Sequence, residues 1–292
     1  MTADSVAGMA GRVAVVTDST AYLPAGVAER LGIQVVPLQV VLGGRSGAEG
    51  IEVTPVEVAR ALASWVPVST SRPTPADFAA VYRKALDGDA AGVVSLHLSR
   101  ELSGTWDSAR MAAEEIGSDA VRVVDSRSAA MGLGFAVLAA AERASEGGSL
   151  EESYAAGVST ADRTTTFFYV DTLEHLRRGG RIGAAQALLG TALSVKPILH
   201  VRDGRIVPLE KVRTASKGVA RLEALAAAAA GEGPVDVAVH HLAAPDRAAT
   251  LAERLRSRLP GLRRLHTSEI GAVVGAHVGP GVLGVVVARS SP

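Results

Sequence analysis

Short β-branched runs alternate with helical patterns through the first half of the chain. Val13–Thr17 reads as a strand, Leu23–Leu31 as a helix and Val35–Leu42 as a strand. Helices over Val56–Trp65 and Ala76–Leu86 follow, then a buried strand from Val93 to Leu98. Thr54-Pro55 and Thr74-Pro75 put an N-cap and a first-turn proline where two of these helices begin. A strand at Val121–Asp125 and a long helix from Ala129 to Ala144 come next, until Glu146-Gly147-Gly148-Ser149 breaks the pattern. Alternation of this kind predicts a mostly parallel sheet flanked by helices.

From Thr164 the texture changes. Phe167–Val170 is a strand, Thr172–Arg178 a short helix closed by Gly179-Gly180, and Val195–Val201 a strand that turns through Asp203-Gly204 into Ile206–Val212. An alanine-rich helix runs from Thr214 to Ala230, followed by strand Val235–His240, helix Asp246–Leu259, strand Leu262–His266 and a last strand Val282–Ala288. The hairpin makes this a second α/β domain with a mixed sheet. The division expected is a disordered start over residues 1–11, an N-terminal α/β domain over 12–162 and a C-terminal α/β domain over 163–292. A chain of 292 residues, 48% of them hydrophobic, supports two such cores.

Charge and composition remove several function classes. Thirty basic and 30 acidic residues balance, so no global field favours nucleic acid or an anionic surface. Cysteine is absent, which excludes disulfides and thiolate chemistry and suits a reducing compartment. No basic and apolar leader opens the chain, and no apolar run nears the ~20 residues that span a bilayer, so a soluble cytoplasmic protein is expected. With 3% aromatics the core must be aliphatic.

The sequence has no lysine-bearing phosphate loop, no nucleophile elbow and no histidine–carboxylate cluster at metal spacing. Gly132-Leu133-Gly134 only faintly resembles a dinucleotide loop, and helix packing accounts for it better. What recurs is hydroxyls at strand ends: Ser19, Ser71, Ser103 and Ser126 each follow a β-branched run. Each alone serves equally well as a helix cap. Together, at the carboxyl ends of a parallel sheet, they would meet around one crevice, and neutral donors there suit a carboxylate better than a polyphosphate.

Thr17-Asp18-Ser19, Thr70-Ser71-Arg72-Pro73, Leu102-Ser103-Gly104-Thr105, Asp125-Ser126, Leu173 through Ile182, Lys196-Pro197-Ile198-Leu199 and His277-Val278-Gly279-Pro280-Gly281 stand in one order. That order resembles the DegV family, the fatty acid-binding subunits of the bacterial fatty acid kinase. The resemblance covers nearly all of the chain after Gly11. It implies a two-domain DegV-like fold that buries a long-chain fatty acid in an apolar tunnel near the domain junction. A separate ATP-dependent kinase would phosphorylate the carboxylate, so this chain is expected to bind rather than catalyse, with no cofactor and no metal. Thr70, Ser103 and His277 match the family's carboxylate-binding positions, with Ser71 adjacent, and Arg181 and Arg213 match basic positions tied to the kinase-facing surface. Transient membrane contact is compatible with such a role. Against the family's usual wording, Arg72 replaces a glutamine and Trp106 a tyrosine, both close to the headgroup site.

Several readings stay open beside this one. Burial of an aliphatic tail contributes about 0.8 kcal/mol per methylene, so the headgroup contacts would mainly set orientation. His277 is either a loop histidine or a protonated partner of the carboxylate that titrates near neutrality. Arg177, Arg178 and the two glycines are explained as a helix C-terminus, Arg181 less well, and the apolar segment Ala184–Leu189 is either a lid or packing. His240-His241 reads as structural. The competing function is an enzyme acting alone on a small hydroxy or phosphorylated substrate, with Asp18 or Asp125 as base for Ser19 or Ser126.

Overall fold

The computed structural model describes residues 11–117, 119–188 and 196–290. The expected start over residues 1–11 therefore lies outside it except for Gly11. Strand β1 (Val13–Asp18) leads through a short helix α1 (Val27–Leu31) to β2 (Gln34–Val36). Next come β3 (Gln39–Leu42), β4 (Arg45–Ala48), helix α2 (Pro55–Ala63), β5 (Val68–Ser71) and helix α3 (Pro75–Asp87). Strand β6 (Gly92–His97), α4 (Thr105–Ile116), β7 (Val121–Asp125), α5 (Met131–Ser145) and α6 (Leu150–Asp162) complete this half. A parallel sheet in the order β2-β1-β6-β7 forms its centre, as the alternation predicts.

Helices α2 and α3 begin at Thr54 and Thr74, and each closes a reciprocal capping box with the acid three residues on. Helix α5 is buried nearly all round. A Cβ at Gly134 would overlap Met131 and the Ala21 carbonyl, and one at Gly132 would overlap Ser128 and Thr166. The two glycines thus serve close helix packing.

The segment expected as one strand over Val35–Leu42 breaks at Pro37-Leu38. Its first part stays in the parallel sheet, and its second joins a small antiparallel sheet in the order β4-β3-β5. Pro37 supplies no N–H to a ladder, so the break falls where continued pairing fails.

Strand β8 (Thr164–Tyr169), helix α7 (Glu174–Arg178), strands β9 (Lys196–Arg202) and β10 (Arg205–Val212), helix α8 (Ala215–Ala230) and strand β11 (Val235–His241) follow. Helix α9 (Pro245–Arg258), strand β12 (Leu262–Glu269), helix α10 (Ala272–Val278) and strand β13 (Leu283–Arg289) end the chain. The second sheet runs β10-β9-β8-β13-β11-β12 and is mixed, with β11 and β12 its parallel pair. Along β13, Leu283, Val285 and Val287 pack under α8 and α9, while Gly284 and Val286, with Val282 just before the strand, face the opposite way into a cavity. The segment Gly183–Leu188 forms a 3₁₀ helix with Ala185 fully buried, whereas Leu189, the end of the apolar segment noted above, and Val195 lie outside the described residues. No helix among the described residues is long and apolar enough to cross a membrane.

Candidate functional site

A cavity enclosing about 990 Å³ of atom-free space, mouth included, opens where the loop after β6, the end of β5 and helix α10 meet the second sheet. Its inner wall is Leu38, Leu98, Phe168, Leu176, Val201, Ile206, Val278, Val282 and Val286. Ala129, Ala130 and Gly284 leave room among them. Thr166 and His240 are polar members of this wall, and both are already bonded. Thr166 shares a hydrogen with Ser128 at 3.2 Å. Imidazole Nε2 of His240 accepts from Met131 N–H at 3.2 Å, and its Nδ1 lies 3.1 Å from Ser268 Oγ.

The other polar lining groups gather on Thr70, Ser71, Arg72, Ser103, Arg181 and His277. Among the described residues the lining holds two guanidiniums and no carboxylate. Its field therefore favours an anion.

His277 Nε2 lies 2.9 Å from Thr70 Oγ1, across 207 residues of chain. Its Nδ1 is buried without a partner among the described residues. A side chain at Gly179 would overlap that nitrogen, which explains the glycine there. Burial first, and the nearby Arg181 charge second, push His277 down to about 4. The imidazole is thus neutral at neutral pH in the free chain, in place of the protonated form considered from sequence.

Burial likewise holds His240 at about 4 against an ordinary 6.5. In the window from about pH 6.5 down to about pH 4 the unfolded chain takes up protons that these folded imidazoles refuse. Stability should therefore be intact above that window and fall as pH drops through it. Urea titrations at several pH values check this, with a shallower slope expected in His277→Asn.

Arg181 donates from Nε to Leu102 O at 3.0 Å and from Nη1 to Gly179 O at 2.7 Å. Backbone carbonyls fix its orientation without neutralising its charge. It sits in the cavity wall, whereas Arg213 is exposed between β10 and α8. Ser103 Oγ shares a hydrogen with Thr105 Oγ1 at 2.9 Å and receives Thr105 N–H at 3.3 Å, so it both steadies the start of α4 and lines the cavity. Trp106 lies outside the lining, with Arg100 and Arg110 placed 5.6 and 5.8 Å from its ring centre.

The expected convergence of strand-end hydroxyls holds for Ser71 and Ser103 only. Strand β5 belongs to the antiparallel sheet, so Ser71 arrives from a different direction than a parallel strand would give. Ser19 instead donates to Glu49 and accepts from Leu38 N–H at 3.0 Å, and Ser126 is buried against Ser128. Neither pair needed for stand-alone catalysis forms. Asp125 accepts from Arg127 N–H at 2.9 Å, and Asp18 accepts from Thr20, His97 and Leu98. Asp18, His97 and Ser95 do form an acid–imidazole–hydroxyl chain, extended by the Tyr82 hydroxyl at 2.7 Å from Ser95. All four are fully buried, and the chain joins β1 to β6.

Glu49 supports the site from outside the cavity lining, and no sequence pattern points to it. The residue is 5% exposed, and its carboxylate accepts from Ser19 Oγ, from Tyr22 Oη at 2.9 Å and from Val273 N–H at 2.7 Å. Tyr22 Oη in turn accepts from Val274 N–H at 3.1 Å. Together they pin the first turn of α10, the helix that carries His277. Glu49→Ala should cost roughly 2–4 kcal/mol by stranding buried donors, read as a lower urea midpoint, and should weaken ligand uptake as α10 loosens. Nothing local marks this glutamate, because its decisive partner is 224 residues away.

Residues 12–290 match the family model described as "Uncharacterised protein, DegV family". The chain belongs to the DegV family. The DegV domain-containing protein SCO2569 of Streptomyces coelicolor is 61% identical over 279 residues, covering 96% of this chain and 99% of that protein. Among solved structures, a fatty acid-binding DegV family protein from Thermus thermophilus superposes with a TM-score of 0.90 at 39% identity, over 96% of this chain and all of that one. DegV of Bacillus subtilis, described as a fatty acid binding protein, gives a TM-score of 0.85 at 35% identity, over 96% of this chain and 100% of its own. The mixed α/β architecture of this DegV chain is that of its relatives.

Proposed function

We propose that this chain buries one long-chain fatty acid, tail against the apolar wall and carboxylate on Thr70, Ser71, Ser103, His277 and Arg181, and presents it to a separate ATP-dependent fatty acid kinase. The observation that carries the reading is a cavity with an aliphatic interior and a rim that, among the described residues, holds cations, hydroxyls and no acid. The solved relatives described as fatty acid-binding support the ligand class. In the kinase step a carboxylate oxygen attacks the terminal phosphorus of ATP, the bond to the leaving ADP breaks, and an acyl phosphate remains. This chain supplies orientation. Arg181 and the hydroxyls hold the carboxylate, and neutral His277 donates from one ring nitrogen. Arg181 thereby joins the headgroup site, and exposed Arg213 stays with the kinase-facing surface. The lipid tunnel lies at the junction of the proposed domains, 12–162 and 163–292.

Native mass spectrometry of the purified chain, before and after adding palmitate or oleate, tests the reading. One fatty acid per chain is expected; no lipid in either sample would sink it. Ser103→Ala should weaken headgroup binding by about 0.5–1.5 kcal/mol, the net value of one hydrogen bond. Kinase-coupled acyl phosphate formation should fall more than lipid occupancy does.

A further inference from the structure

Thr166 breaks an otherwise apolar stretch of the cavity wall. On β8 it shares the cavity face with Phe168, and its register partners there, Val286 of β13 and Val201 of β9, also line the cavity. Valine has nearly the same shape and would complete the aliphatic surface, so the hydroxyl is the anomaly. Thr166 Oγ1 lies 3.2 Å from Ser128 Oγ, and a Cβ on Gly132 would overlap both oxygens, so the first turn of α5 closes over the pair from behind. Ser128 is buried and Thr166 is partly exposed, which leaves Thr166 as the face the pair turns to the cavity. Val282 packs with Val278, next to His277, and Val286 lies four residues further on, roughly 13 Å along the strand. Thr166, in register with Val286, therefore meets the tail and not the carboxylate.

We propose that the chain selects fatty acids that carry a hydroxyl well down the tail, which the hydroxyls of Thr166 and Ser128 receive inside the apolar cavity. The inference rests on the function proposed above. Two hydroxyls carry two hydrogens, and the bond between them spends one. Among the described residues the other hydrogen has no acceptor, and lone pairs on both oxygens remain open. A plain methylene chain lying over Thr166 covers those groups and satisfies none of them. A tail hydroxyl accepts the unspent hydrogen and returns its own. His240, the other polar group of this wall, does not compete for it, because both ring nitrogens are engaged with Met131 N–H and Ser268.

The test compares ricinoleate with oleate, which differ only by a hydroxyl on the far half of the tail. Calorimetry on the wild-type chain should show ricinoleate held roughly threefold more tightly. In Thr166→Val ricinoleate should weaken roughly tenfold, since its hydroxyl is then buried unpaired, and oleate should gain, so the order of the two lipids inverts. Thr166→Ser, which keeps the hydroxyl, should keep the wild-type order. In β-hydroxypalmitate the hydroxyl lies beside the carboxylate, so Thr166→Val should change its affinity only as it changes that of palmitate. A wild-type chain that prefers oleate, or the same response of ricinoleate and oleate to Thr166→Val, would overturn the inference while leaving fatty acid binding intact. Failure of the wild-type chain to bind oleate would instead overturn the function on which it rests.

Discussion

Gly284→Leu is expected to abolish tight uptake of long-chain fatty acid while leaving the protein folded. Gly284 sits on β13 between Val282 and Val286, on the face that lines the cavity. A Cβ there meets its nearest neighbour, His240 Cβ, at 3.6 Å, an ordinary contact, so the backbone accepts a side chain. The rest of a leucine must then project into space assigned to the tail. Displacing about four methylenes forfeits about 3 kcal/mol, or roughly a hundredfold in affinity. Calorimetry with palmitate and with decanoate checks this: the longer acid should lose most and the shorter acid little. Unchanged palmitate binding would mean that the tail does not reach β13.

Asp18→Ala should produce the largest loss of stability of any single change considered. The Asp18 carboxylate is wholly buried and accepts from Thr20 N–H at 3.0 Å, Thr20 Oγ1 at 2.6 Å, Leu98 N–H at 3.0 Å and His97 Nδ1 at 3.1 Å. Removing it strands four donors where water cannot replace it, a cost of about 3–5 kcal/mol. Because Leu98 begins the loop that carries Ser103, ligand affinity should fall as well. A urea midpoint close to the wild-type value would show that the buried chain from Asp18 to Tyr82 contributes nothing to holding β1 on β6.

Local pattern was enough for the parallel sheet and for the hairpin of β9 and β10, since each of those elements is written in consecutive residues. It failed where pairing is decided at a distance. Val35–Leu42 is aliphatic throughout except at Pro37 and Gln39, and only the two destinations of its halves show that it is not one strand. Helix α6 begins at Ser149, inside the glycine-rich stretch that reads as a break, although Ser149 and Glu152 form a capping box. Helix α10 is short, and its residues lie between two glycines, so no period emerges from them.

The candidate site divides in the same way. Motif order points to Thr70, Ser71, Ser103 and His277, and the fold brings all of them to one cavity from β5, the loop after β6 and α10. Ser19 and Ser126 carried the same local grammar but point elsewhere, because a hydroxyl after a strand serves a cap or a neighbour as readily as a ligand. The protonation of His277 was not legible at all. It depends on burial under α7 and on Arg181, ninety-six positions earlier in the chain.

Carbon-13 NMR of carboxyl-labelled palmitate bound to the chain, followed through a pH titration together with the His277 ring resonance, tests the central claim most directly. With the carboxylate seated on Arg181, Thr70, Ser103 and His277, the bound carboxyl should stay ionised to lower pH than the free acid, and His277 should shift on binding and titrate above its free-chain value. A carboxyl that titrates like free fatty acid beside an unmoved His277 would place the headgroup somewhere else.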